Sequence, residues 1–284
     1  VRLSSQRAPA ARRPSRRPPD AAPALLSSSN ARLASARRLT RRKDRRETGR
    51  FLAEGAQAVR SAIAAGAVLE LFATAEAMRR HPELSGGADE ISPKDAAALS
   101  ETSTPQGLVA VCRTPGARVD DVLAGAPRLL AALVEPNDPG NLGTIIRTAD
   151  AAGADAVVLD GGVDAYNGKV VRASAGSLFH LPVVECATHE LLAAVAAAGL
   201  TSLATSGGDA REFHDLDDVV DDGTLAAPTL WLFGTEAHGL PDGVLTAADR
   251  VVRVPIYGGA ESLNLAAAAA VCLYASARVQ RRRS

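Results

Sequence analysis

Residues 129–153 read LLAALVEPNDPGNLGTIIRTADAAG. The six apolar residues from Leu129 to Val134 form an unbroken run, the pattern of a strand covered on both faces. Glu135-Pro136-Asn137-Asp138-Pro139-Gly140 has the composition of a tight turn. A helix then begins: Leu142, Ile145, Ile146 and Ala149 share one face at helical spacing, and Gly153 closes it. Strand, turn and helix make one β/α unit. In open α/β sheets, ligands bind where a strand ends and the next helix begins.

The same grammar repeats outward. Further strands are expected at 156–160, 181–184, 200–205, 229–233 and 251–255, with helices at 142–152, 189–198 and 263–280. Strands alternating with helices predict a mostly parallel sheet with helices on both faces. Upstream, Arg32 to Arg46 is a basic, helix-compatible run. Strands are expected at Phe51–Gly55, Val68–Ala73, near Glu90-Ile91 and at Leu108–Cys112, with helices over Ala56–Ala65 and 75–81 and a helix start at Ser92-Pro93-Lys94. The chain therefore divides into a disordered basic tail (1–28), a small α/β domain (29–112), a linker (113–127) and a larger α/β domain (128–284).

Hydrophobic residues make up 46% of the 284, but aromatics only 3%, so the core must be built from Ala, Leu and Val. The zero net charge hides an asymmetry. Residues 1–50 hold 15 Lys/Arg against 3 Asp/Glu, which leaves 17 against 29 in the rest. That split predicts a basic arm for a polyanion on an acidic body. Cys112, Cys186 and Cys272 are far apart, with no C-x-x-C pair. This argues against a disulfide framework and a zinc site and for a reducing cytoplasm. No apolar run reaches the roughly 18 residues of a membrane span, so no membrane partner is expected.

Four stretches carry candidate chemistry. The first is the 135–150 turn and helix start, where Asn141 reads locally as a helix N-cap and Arg147 as an exposed helical arginine. The second is LFGTEAHGL, residues 232–240, a strand running into a glycine-bracketed loop that contains Gly234 and Glu236. The third is VPIYGGAESLNL, residues 254–265. Here Ser262 is placed to cap the last helix, and Asn264 is a poor helix former just inside it. The fourth is KVVRASAGSLFHLPV, residues 169–183, where Lys169 and Arg172 are candidate phosphate contacts. Neither G-x-G-x-x-G nor G-K-[ST] is present, which disfavours a dinucleotide-dependent oxidoreductase and a P-loop.

Taken in order, these stretches closely resemble the SpoU/TrmH branch of the SPOUT RNA methyltransferases over about residues 128–280. FLAEG and TPQGLVAV, within 37–112, resemble the ribosomal-protein-like substrate-binding domain often fused to such enzymes. The resemblance implies a trefoil knot in the C-terminal sheet, a homodimer formed through that domain, and S-adenosylmethionine as cofactor. It implies catalytic or substrate roles for Asn141, Arg147, Glu236, Ser262 and Asn264. Cofactor contacts are implied for Thr205, Ser206, Gly207, Gly234, Val254, Ile256 and Leu263. No metal is implied.

The implied reaction is methylation of a ribose 2′-hydroxyl in RNA. Ribosomal RNA is favoured over transfer RNA because of the fused domain. A non-catalytic RNA-binding protein of the same fold is the other reading, against which the intact motif residues argue. Arg147 is the family's candidate for assisting loss of the 2′-OH proton. An arginine pKa above ~12 makes a free base awkward. Either its site perturbs it strongly, or it pairs with phosphate and stabilises the developing alkoxide, the reading favoured here. The basic run, including Arg37, Arg38, Arg41 and Arg42, is expected to supply salt-dependent phosphate contacts. Removing residues 1–110 is expected to weaken RNA binding and spare cofactor binding.

Overall fold

The structure is a computed structural model that describes residues 25–206, 213–235 and 237–282. The N-terminal unit runs α1 (Ala31–Arg38), α2 (Arg42–Thr48), β1 (Arg50–Glu54), α3 (Ala56–Ala64), β2 (Val68–Ala73), α4 (Ala75–Arg80), β3 (Asp89–Glu90), α5 (Pro93–Ala98) and β4 (Leu108–Arg113). Its four strands pair in the order β1-β4-β2-β3. The two pairings of β4 are antiparallel, and β2 with β3 is parallel. The basic run is two helices rather than one, because the chain turns at Leu39–Arg41.

The C-terminal unit runs α6 (Val119–Ala124), β5 (Leu129–Val134), α7 (Pro139–Ala152), β6 (Ala156–Asp160), α8 (Gly168–Ala173), β7 (Val183–Glu185), α9 (Thr188–Ala197), β8 (Thr201–Thr205), β9 (His214–Asp215), α10 (Leu216–Asp221), β10 (Thr229–Phe233), α11 (Asp242–Ala247), β11 (Arg250–Arg253) and α12 (Leu265–Arg281). Seven strands pair in the order β7-β6-β5-β10-β8-β11-β9, every pairing parallel. The stretch expected as a linker thus contains α6. This helix, like α8, α10 and α11, is only six residues long, too short to show a period.

Alternation along the central strands sorts the core into two layers. Leu129, Ala131 and Leu133 of β5 join Trp231 and Phe233 of β10 under α7, α8 and α12. Leu130, Ala132, Val134, Leu230 and Leu232 face the other way, over α9. The last helix is pinned by two buried polar contacts: Trp231 Nε1 donates to Ser276 Oγ at 2.8 Å, and Gln280 Nε2 donates to the carbonyls of Arg128 and Ala227, both at 3.1 Å. It lies back over β5 and β10, strands laid down earlier, rather than beyond the sheet edge. This path is consistent with the threading that the resemblance implies.

The two units share a core. Phe51 of β1 packs against Tyr166 and Phe179 at ring-centroid distances of 4.8 and 5.7 Å. It belongs to the same buried cluster as Leu129 and Ile145. Arg45 of α2 bonds Asp164 across the junction through Nε at 2.8 Å and Nη2 at 2.7 Å, and it also donates to the carbonyls of Leu39 and Thr40.

Candidate active site

Because the large sheet is parallel, β5, β8, β10 and β11 all end on one side. The described residues that follow them, 135–138, 206, 234–235 and 254–264, lie at these strand ends. At β5 the chain turns at Glu135, which takes a left-handed φ of 49° uncommon for a non-glycine residue. Asp138 caps α7: its Oδ1 accepts the Asn141 backbone N–H at 2.7 Å, and its Oδ2 faces Lys169 Nζ at 3.4 Å. The hydrogen bond from Asn141 is the main reason the Asp138 carboxyl is held below the ordinary carboxylate range, with Lys169 adding to it. Asn141 is therefore in the first turn and not the cap, which corrects the local reading. Nothing local marks Asp138 as the cap, since an Asx residue between two prolines looks like any other turn residue.

The last helix starts the same way. Its N-cap is Asn264, whose Oδ1 accepts the N–H groups of Ala266 and Ala267 at 2.9 and 3.3 Å. Ser262, expected as the cap, is exposed two residues earlier. With Oδ1 committed to the helix, the Asn264 Nδ2 donates to Asn141 Oδ1 at 3.1 Å. Two helix starts from opposite ends of the domain thus meet through one side-chain bond. Arg147 stands on the same helix as Asn141, exposed and in no ion pair among the described residues.

Between these starts lie the strand ends of β8 and β10. Thr205 Oγ1 donates to the Leu232 carbonyl at 2.9 Å, and the Ser206 N–H donates to that of Val252 at 3.1 Å. Gly234 sits where its loop folds back. Thr235 and Gly239 exchange backbone bonds of 3.1 and 2.8 Å, and a Cβ on Gly234 would stand 2.1 Å from the Gly239 carbonyl carbon. Val254 and Ile256 are half-buried, and Leu263 is 39% exposed. Glu236 and Gly207 lie outside the described residues. Half-buried apolar side chains beside glycine and strand-end backbone fit a ligand with an aromatic base and a zwitterionic tail. S-adenosylmethionine has both.

The predicted RNA contacts separate into two groups. Arg37 is committed to the buried Asp95 carboxylate, and Arg172 reaches the buried Glu54 at 3.6 Å. Both are therefore engaged within the protein, and each keeps 29% of its side chain exposed. Arg38 pairs with Asp44, and Lys169 pairs with Asp138 while remaining more than half exposed. Arg41 and Arg42 are exposed and make no ion pair among the described residues.

This architecture defines a methyltransferase of the SPOUT kind. A model of the SpoU rRNA methylase family matches residues 128–274, and one of the MRM3-like substrate binding domain matches residues 30–110. The chain belongs to the SpoU rRNA methylase family. It is 35% identical over 254 residues to the 23S rRNA (guanosine(2553)-2′-O)-methyltransferase RlmP of Bacillus subtilis, covering 88% of this chain and 97% of that protein. The AdoMet-bound rRNA methyltransferase from Sinorhizobium meliloti superposes with a TM-score of 0.77 at 31% identity, over 90% of this chain and 97% of that one. The SpoU methyltransferase AviRb from Streptomyces viridochromogenes, in complex with AdoMet, gives 0.75 at 32% identity, over 90% and 99%. The chain is thus an S-adenosylmethionine-dependent RNA ribose 2′-O-methyltransferase.

Proposed function

We propose that this enzyme methylates a ribose 2′-hydroxyl in 23S ribosomal RNA. The observation that carries the reading is colinearity with RlmP across both units, so that the substrate-selecting domain is matched along with the catalytic one. The N-terminal unit selects the RNA, with Arg41 and Arg42 facing its phosphates. The C-terminal unit holds the cofactor between Thr205, Ser206, Gly207, Gly234, Val254, Ile256 and Leu263.

S-adenosylmethionine supplies the methyl group and leaves as a neutral thioether, so the leaving group needs no general acid. The protein must hold the ribose in line and favour the developing alkoxide. Asn141 and Asn264 orient the site, Arg147 supplies the positive charge, and Glu236 and Ser262 take part in holding the substrate. Arg147→Lys keeps the charge and loses the planar fork. We expect it to reduce methyl transfer at least tenfold with cofactor affinity unchanged.

The enzyme acts as a homodimer in the cytoplasm. Val271 and Tyr274, one helical turn apart on α12, are 41% and 51% exposed, which supports burial of this face against a second copy. Sedimentation giving a monomer at micromolar concentration would remove that part. The main test is methyl transfer from labelled cofactor to purified 23S, 16S and transfer RNA, followed by mapping of the modified ribose. Transfer to 23S RNA alone is expected, and transfer to transfer RNA instead would overturn the reading.

A further inference from the structure

Beside the first turn of α7, residues of both units line an open cleft of about 400 Å³. That volume lies within the range of about 300–1,000 Å³ typical of ligand sites. Arg42 lines it from the N-terminal unit, and Glu135, Asn137 and Asn167 line it from the C-terminal unit. The Arg45–Asp164 pair is part of its lining. Both Asp164 oxygens are already engaged, one by Arg45 and the other by the Tyr166 N–H. The Asn167 Oδ1 is engaged by the Lys169 N–H at 2.8 Å, which leaves its Nδ2 as a donor. The walls are also fixed: the Val163 N–H bonds the Pro136 carbonyl at 2.8 Å, and a Cβ on Gly162 would meet that oxygen at 2.3 Å.

Glu135 is the unusual member. A glycine would take its left-handed backbone without strain, yet the chain places an exposed glutamate there. An observed outlier of this kind points to a role for the side chain. An exposed arginine and an acceptor-only carboxylate lining one cleft suit a nucleotide, the arginine matching its phosphate and the carboxylate a donor-bearing base edge.

We propose that this cleft binds a nucleotide next to the target ribose, with Arg42 on its phosphate and Glu135 reading guanine. Guanine alone among the four bases offers a ring N–H beside an exocyclic amine, two parallel donors that one carboxylate accepts together. The inference rests on the RNA methyltransferase reading, and it adds a specificity-determining residue to it.

The test uses the full-length protein and fluorescent uridine decamers carrying one central guanosine, inosine or adenosine. Wild type should prefer guanosine over adenosine by about tenfold, the scale of one bidentate base contact. Inosine, which lacks the amine, should fall between them. Glu135→Gln should erase the preference at unchanged melting temperature. Arg42→Ala should weaken all three decamers alike and lower the slope of log affinity against log salt by about 0.7. Arg79→Ala, which removes the same charge from α4, should do neither. A preference that survives Glu135→Gln, no preference in wild type, or no binding of any decamer overturns the subsite. Methyl transfer to 23S RNA is scored separately. Its absence alongside the expected binding pattern would sink the proposed reaction and leave the subsite standing.

Discussion

Asn264 caps the last helix with its amide oxygen and holds Asn141 with its amide nitrogen, across 3.1 Å and 123 residues of sequence. One side chain therefore does two separable things. Asn264→Ala removes both, and loss of the cap alone costs about 1 kcal/mol. Asn264→Asp keeps the cap acceptor, and its charge suits the helix N-terminus. It has no donor for Asn141. We expect the aspartate variant to melt within a degree or two of wild type, yet to lose methyl transfer about as severely as the alanine variant. A fully active Asn264→Asp enzyme would show that the bond to Asn141 is incidental.

The Asp138 carboxyl is held below its ordinary range, first by the Asn141 N–H and then by Lys169. A depressed folded-state pKa gives stability that is present above the unfolded value of about 3.9 and is lost as pH falls through the folded value. Asp138→Asn keeps an acceptor for the cap and removes this charge. The variant should be less stable than wild type at pH 7, and the gap should narrow on acidification to about pH 3. Urea midpoints at the two pH values measure it, and a gap independent of pH would show that the charge plays no part.

How much of this was legible in the sequence depended on range. β5 and α7 were plain because a six-residue apolar run meets a fourteen-residue helix with a clean apolar face. The helices α6, α8, α10 and α11 were missed, since six residues span less than two turns and show no period. Ser262 was read as the cap because serine is a good one, but the helix starts two residues later at another good cap. The partners of Arg37 and Arg172, Asp95 and Glu54, stand far off in sequence, so nothing local marks the pairs. Pairings such as Asn141 with Asn264, or Arg45 with Asp164, join residues more than a hundred positions apart and leave no local trace. Only the ordered motifs, read as a family resemblance, group the proposed catalytic residues as one set.

The shared core alters the expectation for removal of residues 1–110. That cut would strip Phe51 from Tyr166 and Phe179 and leave Asp164 without Arg45. A cleaner probe of the junction is Arg45→Ala, which leaves a nearly buried carboxylate unpaired. Breaking one partner of such a pair costs about 3–5 kcal/mol. Asp164→Ala in the same chain should recover part of the loss, because the uncompensated charge goes with it. Chemical denaturation of the two single variants and the double variant measures the coupling. Strict additivity would mean that the pair does not hold the units together.

Gly234 offers the sharpest test of the proposed cofactor edge. Its loop closes so tightly that a Cβ would stand 2.1 Å from the Gly239 carbonyl carbon and 2.2 Å from its oxygen. These are backbone atoms, held by the Thr235–Gly239 bonds, so they cannot swing aside as a side chain end would. Gly234→Ala must open the loop, at a cost on the overpacking scale of about 1–3 kcal/mol. Gly239 has φ of +66° but open space around it, so Gly239→Ala strains only the backbone. We expect Gly234→Ala to lose at least tenfold in S-adenosylmethionine affinity by calorimetry, and Gly239→Ala to lose less. Equal losses would mean that positive φ at Gly239, rather than the close approach at Gly234, sets the shape of this edge.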